Sequence, residues 1–332
     1  MNLTKFRKGM GLWSSCLGLI LLFTFWFLNV SSDADYPNKS IQLITAFPPG
    51  GGGDTVARIV VTKLSPILGQ PVVVVNKPGG GGVIGTYVAK AAPPDGYTIF
   101  IAAPPMLRHP LTTKGVTYDL VRDFIPVNLP VSVNMVTVIK NDAPWRSLRE
   151  VIAEAKKNPG KLSFSSPGYG GTAHFVMEML KLETGTDLTH VPMDGSGPQI
   201  AGVLGGHITM TTPEVGLVSK HLEAKSLRAL AVWAKKRDKL IPHVPTTAEE
   251  GFPNLVDSSW QAFFVPISTP DTIVKKLEKA FKEALNDKEI IETFEKAGWV
   301  IENLGSKETA EFVATCQKKY ADVAKAINMV PK

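Results

Sequence analysis

The chain has 332 residues, 44% hydrophobic and 20% charged, a composition ordinary for a globular protein of two domains. Its formal net charge of +6 is too mild and too scattered to argue a nucleic-acid-binding surface.

The first thirty-odd residues stand apart. Lys5, Arg7 and Lys8 make a basic start, and residues 17–28 are apolar except for Gly18 and Thr24. Ser32-Asp33-Ala34 then puts small residues at the two positions a signal peptidase reads, so residues 1–34 read as a secretory signal. The alternative is an uncleaved leader anchoring the protein to the inner membrane, because residues 10–30 are nearly long enough to span a bilayer. Without the leader the net charge falls to +4 and Cys316 is the only cysteine, so no internal disulfide can form. Cys316 falls on the apolar side of a C-terminal helix and reads as a small buried hydrophobe.

From Tyr36 onward strands and helices alternate. Residues 41–47 read as a strand, and residues 54–68 as a helix with Val56, Ile59, Val60, Leu64 and Ile67 on one face. Between them lies Phe47-Pro48-Pro49-Gly50-Gly51-Gly52-Gly53-Asp54. Four glycines in a row clear the turn of side chains and deliver the unpaired first N–H groups of a helix, which together make a generic anion site. The same residues also suit a plain strand-to-helix turn with Asp54 capping the helix. Residues 72–75 form a short apolar strand, a second glycine run at 79–82 leads into a helix over 83–91, and residues 97–102 are a third strand. Two successive strand–glycine-loop–helix units predict a parallel sheet buried on both faces, with both loops at its ligand-binding carboxyl edge.

Residues 130–140 are a long β-rich stretch, and Ser147 with Glu150 is a capping box for a helix over 148–157. A second αβ series follows: strand 162–165, helix 173–184, strand 188–191, helix 198–204, strand 208–212, helix 215–222 and strand 227–232. After a polar connection over 235–251 come strand 260–265, helices 271–286 and 288–297, strand 299–302 and helix 307–326. This tail could finish either domain; periodicity does not choose.

Gly80-x-Gly82-x-x-Gly85 matches the dinucleotide fingerprint, but the next strand ends Ile101-Ala102-Ala103-Pro104 without the acid that would hold a ribose. There is no lysine phosphate loop, no Gly-x-Ser-x-Gly turn and no histidine spacing suited to a metal. No acid–base constellation emerges, and no cofactor is implied. The second domain repeats the opening device: Ser163 to Thr172 is a loop of Gly and Ser before a helix, offering hydroxyls from Ser165, Ser166 and Thr172. His174, beside it, reads as a histidine that orients the loop.

These residues carry a resemblance. The motifs are Tyr36-Pro37-x-Lys39-x-Ile41, Phe47-Pro48-Pro49-Gly50-Gly51-x-x-Asp54, Leu68-Gly69-Gln70-Pro71, Asn76-Lys77-Pro78-Gly79, Asp95-Gly96-Tyr97-Thr98, Val244-Pro245-Thr246-x-Ala248-Glu249-x-Gly251 and Trp260 followed by Pro266. In this order and spacing the chain resembles the periplasmic substrate-binding receptors of tripartite tricarboxylate transporters, also called Bug receptors, over essentially all of it from Tyr36. The resemblance implies an α/β, two-lobed type II periplasmic binding protein fold, each lobe a sheet flanked by helices, with a ligand cleft between them. Residues 36–138 and 262–332 would form one lobe and residues 139–261 the other.

It further implies a monomeric, non-enzymatic receptor that captures a small organic acid and delivers it to membrane transporter subunits, or alternatively docks on a membrane sensor kinase. The carboxylate would be held by Phe47, Pro49, Gly50, Gly51, Gly52 and Gly53 from one lobe, with Ala103 beside them. Ser166, Gly170, Gly171, Thr172 and Asp194 would hold it from the other. Asp54 and His174 would support the loops. Three departures bear on the ligand. Gly171 stands where the family has serine, Met193-Asp194-Gly195 where Tyr-Lys-Gly is common, and Pro213-Glu214 where Asp-Asn is common. An anion in place of a cation at position 194 favours a ligand with one carboxylate and a polar or cationic group over citrate.

Overall fold

The computed structural model describes residues 36–193 and 195–329, so the leader, Asp194 and the last three residues lie outside the described residues. The elements that follow all belong to one unit, which begins at Lys39. In chain order they are β1 (Ile41–Thr45), α1 (Gly52–Leu68), β2 (Val72–Asn76), a 3-10 turn (Gly80–Gly82), α2 (Val83–Lys90), β3 (Thr98–Ala102), α3 (Pro104–Thr112), α4 (Leu120–Asp123), β4 (Phe124–Asn134) and β5 (Val136–Lys140). Then come α5 (Leu148–Lys157), β6 (Ser163–Ser166), α6 (Thr172–Thr184), β7 (Thr189–Pro192), α7 (Ser196–Leu204), β8 (Met210–Thr211), α8 (Val215–Glu223) and β9 (Leu227–Val232). The tail holds β10 (Ser258–Pro266), α9 (Asp271–Leu285), α10 (Lys288–Lys296), β11 (Val300–Leu304) and α11 (Ser306–Ala326). No helix among the described residues is long and apolar enough to cross a membrane.

Two sheets organise these elements. The first has the order β11-β4-β10-β3-β1-β2, the second β7-β6-β8-β5-β9. Only half of the first sheet is the expected parallel one: β1 runs parallel to β2 and β3, whereas β10 is antiparallel to β3 and β4, and β11 to β4. The returning tail supplies the antiparallel strands, which local periodicity does not reveal. Pro130 lies inside β4 with a strand on either side. It is tolerated because both neighbouring registers shift around it, between Gln261 and Phe263 on one side and between Ile301 and Leu304 on the other.

The chain passes from the first sheet to the second at Met135, between β4 and β5, and returns between β9 and β10. The two crossings lie side by side. Trp233 N–H donates to the Met135 carbonyl at 2.9 Å, and Asp257 N–H to the Trp233 carbonyl at 3.1 Å. The Trp233 indole is fully buried beside them and donates to Thr137 Oγ1 at 2.8 Å.

The glycine that closes the dinucleotide-like pattern has a packing role. A Cβ on Gly85 would lie 2.8 Å from the Cα and Cβ of Ala46 and from the Lys77 carbonyl oxygen. Helix α2 therefore rests directly on the backbone at the end of β1, which is the third fingerprint glycine's physical role without any nucleotide. Gly85→Ala is expected to cost about 1–3 kcal/mol, because backbone cannot move aside as a flexible side chain would. Urea unfolding checks this; an unchanged midpoint would show that α2 lifts freely.

Candidate ligand site

Helix α1 starts at Gly52, two residues earlier than its apolar pattern suggests, with Gly51 as N-cap and no side chain capping it. Asp54 is thus the third helical residue, and its carboxylate works backwards and sideways. It accepts the Gly50 N–H at 2.9 Å, Arg58 Nε at 2.9 Å and Asn76 Nδ2 at 2.7 Å. Asn76 Nδ2 also donates to the Phe47 carbonyl at 3.0 Å. Burial pushes the Asp54 carboxyl up, but the bonds from Arg58, Gly50 and Asn76 with the Arg58 charge hold it below the ordinary aspartate value.

This network holds the turn while leaving its donors open. Gly51 N–H closes onto the Pro48 carbonyl at 3.0 Å and Thr55 N–H onto Gly51 at 2.9 Å. The amides of Gly52 and Gly53 have no partner among the described residues. Gly50 needs a glycine, at φ +80°, and Gly53 needs one because a Cβ there would strike the Phe47 ring. Gly52 faces Gln261 and Trp299, each 3.7 Å from where its Cβ would be. Gln261 is buried with its Oε1 unpartnered. Pro49 and Gly50 are exposed at the tip of the turn.

The second loop follows β6 and ends at α6, capped by Gly171 without a side-chain bond. Ser166 is fully buried; its hydroxyl donates to the Gly168 carbonyl at 2.7 Å and accepts from His190 Nε2 at 2.8 Å. That hydroxyl is spent inside the loop. Gly170 N–H donates to His174 Nδ1 at 3.1 Å. His174 consequently carries its proton on Nε2, 3.7 Å from Glu178 Oε1. Its ring stacks on His190 at 4.1 Å between centroids, with Tyr169 at 4.7 Å on His174 and Phe164 at 4.8 Å on His190. Burial, with the nearby charges of His190, Lys181 and Arg108, pulls the pKa of His174 down to about 3; burial and Lys181 pull that of His190 down to about 4. Both are neutral props behind the loop at ordinary pH.

Ala103 caps α3, but that helix start offers little to an anion. Pro104 and Pro105 have no N–H, and Met106 N–H bonds to the Ala103 carbonyl at 3.0 Å. The residue on α3 that reaches the second loop is Arg108, whose Nη2 donates to Thr172 Oγ1 at 2.8 Å. A Cβ on Gly170 would lie 3.8 Å from Thr112 Oγ1 of the same helix.

The structure thus gathers the expected residues into two groups. Phe47 to Asp54 sit at the carboxyl end of β1, and Ser166 to His174 at that of β6. Helix α3, leaving the same edge of the first sheet as β1, touches the second loop through Arg108. Asp194 lies outside the described residues. Gln261, Trp299, His190 and Arg108 were missed by the sequence reading. Gln261 alone left a signal, as the one amide in an otherwise apolar strand.

Two α/β lobes with glycine-loop helix starts at their strand ends match the architecture of a solute-binding protein. The chain belongs to the family described as "Tripartite tricarboxylate transporter family receptor", which matches residues 56–329. It is 33% identical to protein BugT of Bordetella pertussis, over 98% of each chain. Among solved structures it is similar to a Rhodopseudomonas palustris protein determined with adipate (28% identity, TM-score 0.75, 90% of this chain and 100% of that one). It is also similar to MatC from Rhodopseudomonas palustris with bound malate (25% identity, TM-score 0.72, 87% and 99%). The family is one of periplasmic solute receptors.

Proposed function

We propose that this protein captures a small organic carboxylate between its lobes and presents it to a tripartite tricarboxylate-type membrane transporter, after export directed by residues 1–34. The observation that carries the reading is the pair of glycine-loop helix starts with unpartnered amides, Gly52 and Gly53 on α1 and the first turn of α6 beginning at Thr172. Each supplies N–H donors and the positive end of a helix dipole, and neither demands a catalytic group. Relatives holding adipate and malate support a carboxylate. The adjacent crossings at Met135 and Trp233 are suited to a hinge about which the lobe built on the second sheet swings against the one built on the first.

Isothermal titration of the leader-free protein against acetate, succinate, malate, adipate, aspartate and citrate tests the reading. Micromolar or tighter binding of a mono- or dicarboxylate is expected, an interaction of about 8 kcal/mol. Tight citrate binding would overturn the preference assigned to Asp194, and binding of none would overturn the carboxylate reading.

A further inference from the structure

Arg108 is a buried cation with no carboxylate in ion-pair contact among the described residues. Its side chain is 1% exposed, and Nε and Nη1 are buried without any hydrogen-bond partner. The guanidinium carbon lies 5.1 Å from the Phe175 ring centroid and 5.0 Å from that of Tyr320, so two aromatic faces take the place of a counter-ion. The carboxylate that acts on it through space is Asp257. Lys319 Nζ at 2.9 Å, the Tyr320 hydroxyl at 3.1 Å and the Ser258 N–H at 3.0 Å all meet its Oδ1, and its Oδ2 is buried without a hydrogen-bond partner. Lys319 is partly exposed, so Arg108 and Asp257 are the buried charges here, and no ion pair joins the two among the described residues. A buried guanidinium with two unpartnered nitrogens is costly, and an apolar side chain in its place is often neutral or stabilising.

Among the described residues the one hydrogen bond of this guanidinium goes to Thr172, which is only half-buried and starts the helix at the second loop. A hydroxyl that accepts from a cation still has its own proton to give, and the cation polarises it as a donor. We propose that Arg108 is the charge source for the second-lobe half of the site: without touching the ligand, it fixes Thr172 so that the hydroxyl donates to the ligand carboxylate. The inference rests on the carboxylate-receptor reading above. It makes Arg108 a positioning residue and sets a requirement for an anionic group at this end of the ligand. Because α3 follows β3 of the first sheet and α6 follows β6 of the second, the same relay ties the anion to both lobes.

Titrations with succinate, malate and adipate, using Arg108→Met, Arg108→Lys, Thr172→Val and the Met/Val double variant, test this. Arg108→Met and Thr172→Val should each weaken binding roughly ten- to hundredfold, the scale of one hydrogen bond to a charged group. The double variant should be no more than about threefold worse than Thr172→Val, since the two residues act in series. Arg108→Lys should recover part of the loss, and ligand-free Arg108→Met should unfold at the same or higher urea concentration. Parent-like binding by Arg108→Met, multiplying losses in the double variant, or a lowered midpoint for ligand-free Arg108→Met would each overturn the proposal. A parent protein that bound none of the three acids would overturn the receptor reading beneath it.

Discussion

Asp54→Ala is expected to lower stability by about 2–4 kcal/mol and to abolish carboxylate binding. The carboxylate is 2% exposed and serves three donors at once, so its loss strands the Asn76 amide and the Gly50 N–H. The Arg58 ion pair adds little of this, because the arginine is 54% exposed and solvent screens it. Binding suffers more than stability for a geometric reason. Gly50 is held at φ +80° by its bond to Asp54, and without that bond the four glycines regain a wide range of conformations. The amides of Gly52 and Gly53 would then have to be ordered by the ligand at its own expense. Urea unfolding and titration with malate and adipate measure the two effects. An Asp54→Ala protein that bound these acids with parent affinity would show that the turn keeps its shape unaided.

Acidification is expected to destabilise the protein before the partner-held carboxylates of Asp54, Asp123 and Glu249 titrate. The two stacked histidines of the second loop are held neutral, with pKa values pulled down to about 3 for His174 and about 4 for His190. In the unfolded chain both take up protons near pH 6.5. Between pH 6.5 and about 4 the unfolded state binds more protons, so stability falls as pH falls, and the loss is complete only below the folded values. Allowing for the contact between the rings, about 2–4 kcal/mol should be lost by pH 4.5. Groups facing the pair are Lys181, Glu178 and Arg108. Asp54, Asp123 and Glu249, whose pKa values are lowered by their partners, contribute only at more acid pH. Unfolding midpoints for parent and His190→Phe from pH 7 to 4.5 check this, and identical slopes in the two proteins would refute the assignment.

The glycine turn, its helix and the αβ alternation were legible because each is a local pattern of residues. The ligand-facing chemistry was less so. Three prolines among residues 104–112 disguise α3 as a loop; yet Pro104 and Pro105 fill first-turn positions where no N–H is needed, and Pro110 falls in the last turn. Arg108, on that hidden helix, gave no sign of the hydroxyl it reaches 64 residues away. His190 looked scattered until the parallel register of β6 and β7 set it opposite Phe164, beside His174. The antiparallel half of the first sheet escaped for the same reason, since strand partners distant in sequence leave no periodic trace.

That arrangement of the first sheet has a bearing on how the chain folds. Its central strand β10 pairs with β3 and β4, joining Ala262 to Ala102 and Trp260 to Ser132, so the sheet unites both ends of the chain around an intervening segment. The second sheet draws every strand from one continuous stretch, Val136 to Val232. Closing the first sheet bears the entropy of a long loop, and that cost is smaller when the segment within the loop has already collapsed. The continuous lobe is therefore expected to mature first, with the lobe carrying the α1 turn finished only when the tail arrives.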